Sequence, residues 1–97
     1  MRDVWQRLHT VVSHMAERLG DPNKTFHDTL VTNVRGEVAL ARHLNATGDA
    51  KLSKITQDIE ESLCETDADI LRKDGVRRAF VAQSARDILA AMDKAGR

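Results

Sequence analysis

The chain has 97 residues and a mass of 10.8 kDa, enough for one domain near the lower end of what folds alone. Hydrophobic residues make up 41% and charged residues 31%, which excludes a disordered tail and a membrane-embedded chain. Fifteen Lys and Arg offset fifteen Asp and Glu, so the formal net charge of zero excludes a generally cationic nucleic-acid binder and leaves only local basic patches.

The first helix is predicted over about Asp3–Leu19. Trp5, Leu8, Val12, Met15 and Leu19 follow one another at intervals of three and four, the rhythm of a bundle seam, and Gly20 suits a left-handed helix end. Asp21-Pro22 reads as the start of a second helix reaching about Leu44, with Thr25 and Asp28 offering another start one turn later. Its apolar face carries Phe26, Leu30, Val34, Val38, Ala41 and Leu44, and is broad enough to touch more than one neighbour.

Asn45-Ala46-Thr47-Gly48 reads as a loop and Asp49 as the N-cap of a third helix ending near Leu63, with the narrow stripe Leu52, Ile55, Ile59, Leu63. Thr66 and Asp69 have capping-box spacing, which predicts a short helix over about residues 67–72. Asp74-Gly75 breaks it. A last helix then runs from Val76 to about Lys94 and is rich in alanine. Its apolar arc is wider than one neighbour requires. Either the helix is buried within a monomeric bundle, or Val81, Ile88, Leu89 and Met92 form an association face toward another protein or a second copy of the chain.

Strand-period alternation is missing, Tyr is absent, and there are only three aromatic residues, five Gly and one Pro. The expected class is all-α: a small antiparallel helical bundle of four main helices, with the short fifth segment, in a single domain over residues 1–97. Cys64 alone cannot form an intramolecular disulfide, which fits a reducing compartment. The longest apolar stretch, Leu89-Ala90-Ala91-Met92, is far short of the roughly 20 residues that span a bilayer. A cytoplasmic protein without membrane attachment is expected.

Catalytic and metal chemistry find little footing. His9 and His14 are five apart and point to different faces, and His27 and Cys64 lack nearby ligand partners, so neither a metal nor a cofactor is expected. His27 reads as a boundary histidine on the apolar arc. Glu37, on the same arc, is expected to pair with an arginine or reach the rim. The acidic run Asp58, Glu60, Glu61, Glu65, Asp67, Asp69 should raise the Cys64 thiol pKa rather than activate it. The calcium-loop reading of Asp67 to Gly75 fails because Leu71 and Arg72 stand where a ligand and a glycine are needed. No nucleophile motif or phosphate loop occurs, and no catalytic residue is assigned.

The strongest local feature is basic: Arg72, Lys73, Arg77 and Arg78, with Arg86 further along. Cations at a helix start oppose the dipole, so either the adjoining acids or a partner must offset them. The expectation is a non-enzymatic protein-interaction module (a regulator, adaptor, inhibitor or small subunit) binding through this cluster and the apolar face of the last helix. The alternative is a helix-turn-helix-like DNA binder over residues 67–88 that presents Arg77, Arg78 and Gln83.

Overall fold

A computed structural model describes residues 2–21, 23–45 and 48–95. The helices are α1 (Arg2–Gly20), α2 (Thr29–Leu44), α3 (Ala50–Leu63), the short α4 (Ala68–Lys73) and α5 (Gly75–Ala95), with no strand among the described residues. α1 packs against α2 and α5, and α3 packs against the same two, so the long helices close a ring. Cross-links give the directions. Arg7 of α1 meets Glu37 of α2, while His14 and Arg18 lie beside Leu30 and Asn33. Arg35 of α2 reaches Cys64 at the end of α3, while Asn45 after α2 meets Ser53 near the α3 start. His9 of α1 meets Asp93 near the end of α5. Arg78 near the start of α5 reaches the other end of α1. Neighbours are thus antiparallel, as short connections require.

Two carboxylates set boundaries by local chemistry. Asp49 accepts from the backbone N–H groups of Lys51 (2.9 Å) and Leu52 (3.3 Å), opening α3 where the sequence predicts. Asp74 serves two helices. Its backbone N–H closes α4 on the Ile70 carbonyl at 2.9 Å, and its carboxylate accepts from the Arg77 N–H at 3.0 Å to open α5.

α2 begins later than either predicted start. Asp21 does accept a backbone N–H, from Asn23 at 2.9 Å, but this makes a turn and not a helix. Pro22 lies outside the described residues, as do Ala46 and Thr47 of the predicted loop. Asp28 precedes the first helical residue yet makes no cap: its backbone is already in the α region (φ -55°, ψ -31°), and its carboxylate is turned to Arg72 at 2.6 Å. His27 is therefore not on a helical arc, and it is exposed. Gly20 is not left-handed, Gly48 being the one positive-φ glycine among the described residues. It instead leaves the space occupied by the Arg86 guanidinium, which a Cβ would strike.

One continuous core joins all five helices, built on Leu8, Val12 and Met15 of α1, Val34 of α2, Ile59 of α3, Leu71 of α4 and Ala85 of α5. The expected association face belongs to it. Val81 is 1%, Met92 2% and Ile88 7% exposed, and Leu89 packs against the same cluster. The apolar arc of α5 is wide because α1, α3 and α4 all pack on it. Leu44, predicted on the core face of α2, is exposed at that helix's last turn.

Candidate functional site

The basic cluster sits at the α4–α5 junction, and three of its arginines are tied to their own chain. Phe26, in the connection between α1 and α2, lies between two guanidinium groups, Arg72 at 5.3 Å and Arg78 at 5.0 Å from its ring centre. Arg72 also holds Asp28 at 2.6 Å, Asp69 at 2.9 Å and the Phe26 carbonyl at 3.1 Å. The Asp28 hydrogen bond and charge keep this guanidinium above its ordinary pKa.

Arg78 donates to four carbonyls: Leu19 at 3.3 Å, Arg18 at 2.9 Å, and Asp21 and Lys24 at 2.7 Å. The first two belong to the last turn of α1, where carbonyls lack helical partners. The Arg77 Nε donates to the hydroxyl of buried Thr66 at 3.2 Å, so Thr66 does not form the predicted capping box with Asp69. Of the five basic residues, Arg72, Arg77 and Arg78 hydrogen-bond to their own chain and only Arg78 is half-buried; Arg72, Lys73, Arg77 and Arg86 are exposed. Of the acidic run only Asp69 offsets the cluster. Asp67 and Glu60 pair with Arg35 and Arg42 of α2.

These contacts also bear on the helix-turn-helix geometry. α4 and α5 are joined by the single residue Asp74, where that motif uses a turn of three to four residues. Arg78 is spent on α1, and Gln83 donates to Asp87 at 3.0 Å.

Other singled-out residues have ordinary surroundings. Glu37 pairs with Arg7 at 3.0 Å, in line with the sequence reading. Burial is the main cause that pushes the Cys64 thiol up to about 11; the Arg35 charge opposes the rise and the Glu60 charge adds to it. Among the described residues no three His, Cys, Asp or Glu side chains converge as a metal site requires. An open cleft of about 530 Å³ between α2 and α3 contains Glu60, paired with Arg42, and Glu61, which accepts from Gln57.

The unpartnered apolar surface is elsewhere. Val76 and Phe80 occupy the first two turns of α5 and are 82% and 62% exposed. Four residues apart, they lie on one side of the helix, with exposed Ile70 on the adjacent α4. A signal for this was present in the sequence. Arg78, Val81, Ala85, Ile88 and Met92 repeat at three and four and form the inward stripe, which leaves Val76 and Phe80 beside it. Arg78 is the inward stripe's one charged residue, which explains why its guanidinium reaches the end of α1.

The chain matches no protein-family model, no curated protein and no solved structure. No helix among the described residues is long and apolar enough to cross a membrane.

Proposed function

We propose that this chain is a non-enzymatic protein-interaction module that docks through the start of α5. The exposure of Val76 and Phe80 carries the reading, since the bundle leaves these two in water while it buries Val81, Ile88 and Met92 and half-buries Leu89. Full burial of each is worth about 1.5–3 kcal/mol, so a partner that covers them gains affinity directly. The i, i+4 pair on a rigid helix matches the way a helix presents anchors to an apolar groove. Exposed Lys73, the last residue of α4 and three positions before Val76, suits a groove with carboxylates at its rim. Two side chains cover far less than the roughly 800 Å² per partner of a stable interface, so they form the centre of a larger contact.

The test compares the wild-type chain with Phe80→Ala and Val76→Ser/Phe80→Ser, each checked for an unchanged melt. Proteins retained from lysate of the native host by the wild type are expected to be lost on the double variant. Light scattering over a concentration series asks whether a second copy is the partner, and a duplex-DNA titration at low salt runs alongside. Undiminished capture and unchanged mass for the double variant would remove the proposal.

A further inference from the structure

A second feature lies outside the docking surface and does not rest on it. The end of α1 and the entry to α2 enclose a cleft of about 330 Å³, with buried Phe26 and Leu30 beneath and His14, Arg18, Thr25, His27, Thr29 and Asn33 around it. Each of these six side chains can donate a hydrogen bond, and no carboxylate lines the cleft. Among the described residues, none of the six makes a side-chain hydrogen bond or ion pair within the chain. Most other arginines are engaged: Arg7 and Arg42 with glutamates, Arg35 and Arg72 with aspartates, Arg77 with a hydroxyl, and Arg78 with carbonyls.

The nearby carboxylates are committed elsewhere. Glu17 holds Lys24 at 2.9 Å, Asp21 accepts the Asn23 N–H at 2.9 Å, and Asp28 is held by Arg72 at 2.6 Å. The cleft is thus a concave site furnished with donors from two elements, one permanent cation among them, and with no carboxylate in its lining; the Glu17 charge reaches Arg18 and His14, but Lys24 holds that carboxylate.

We propose that this cleft binds an oxyanion of the phosphate-monoester class. Arg18 supplies a guanidinium fork, and the imidazoles, hydroxyls and Asn33 amide supply further donors. A tetrahedral group with three terminal oxygens can use donors arriving from both helices, whereas a carboxylate offers two oxygens in one plane. The volume exceeds that of a phosphate ion and leaves room for an esterified group.

The experiment is a titration of the whole chain with inorganic phosphate and, separately, O-phosphoserine, followed by backbone amide NMR shifts. Chloride and acetate serve as controls at matched ionic strength. Saturable shifts at Thr25, Thr29 and Asn33 are expected with both phosphate probes and not with the controls. Arg18→Gln should weaken binding about tenfold, as loss of one charge-assisted hydrogen bond does. His27→Gln, at an exposed position, should weaken it several-fold without altering the melt. Tighter binding of phosphoserine identifies an esterified ligand, and equal binding identifies the free ion. Shifts that follow ionic strength for every anion, shifts centred away from the cleft, on the exposed α3 lysines Lys51 and Lys54, or an Arg18→Gln variant of unchanged affinity would each overturn the assignment.

Discussion

Arg78 concentrates the chemistry of the fold in one side chain. Its four acceptors are neutral carbonyls, and two of them lie at the negative end of the α1 dipole, which helps to offset the charge. Arg78→Met should cost about 2–4 kcal/mol in urea denaturation, because it strips donors from several partly buried carbonyls at once. Arg78→Lys should recover only a minor part, since an ammonium cannot reproduce a fork spread over four acceptors. A lysine variant as stable as wild type would show that charge alone suffices. Cys64 gives a pH-dependent counterpart. Its folded pKa of about 11 lies above that of an unfolded thiol, so the native state holds the proton longer. The contribution is complete below the unfolded value and is lost as pH rises toward the folded one. Wild type should lose ~2 kcal/mol more than Cys64→Ala between about pH 8 and about pH 10.5, read from urea midpoints. Equal losses in the two proteins would contradict the burial of the thiol.

Helix boundaries were legible in the sequence where the deciding contact is local, and hidden where it is not. Asp49 caps residues two and three positions ahead, and Asp74 caps one three ahead, so α3 and α5 start within a residue of the prediction. The start of α2 depends on Arg72, 44 residues from Asp28, and no spacing rule reads that distance. The Arg78 contacts with Asp21 and Lys24 likewise hold the entry to α2 out of helical form. Glycines divide in the same way. Gly36 sits mid-helix with open space where a Cβ would go, and Gly36→Ala should stabilise the protein by about 0.5–1 kcal/mol. Gly48 has open space too, but its φ is +66°, so Gly48→Ala should destabilise by about 1 kcal/mol in the same thermal or urea assay. Identical surroundings with opposite signs would separate backbone conformation from packing as the cause.

At the scale of the molecule, α5 is both the hub of the core and the carrier of the exposed anchors. The helical periods were enough to establish an all-α bundle. They did not show which part of the α5 arc faces inward, because α1, α3 and α4 decide that together. A consequence is that the two halves of α5 are unequal. Its first turns tolerate change at Val76 and Phe80, where Phe80→Ala should alter stability by no more than about 0.5 kcal/mol, as surface substitutions do. Its last turns do not. The His9–Asp93 contact places the end of α5 alongside the first half of α1, and Ile88, Leu89 and Met92 pack into the shared core. A chain ending at Asp87 loses all three, each worth about 2–5 kcal/mol against a total stability of about 5–15 kcal/mol for a domain. Because one cluster joins every helix, that loss cannot remain local. Circular dichroism of the shortened chain should therefore show helix disappearing throughout and no cooperative melt. Were the remaining helices to persist and melt cooperatively, α1, α2 and α3 would have to form a stable unit without the end of α5, and the single-core description would fail.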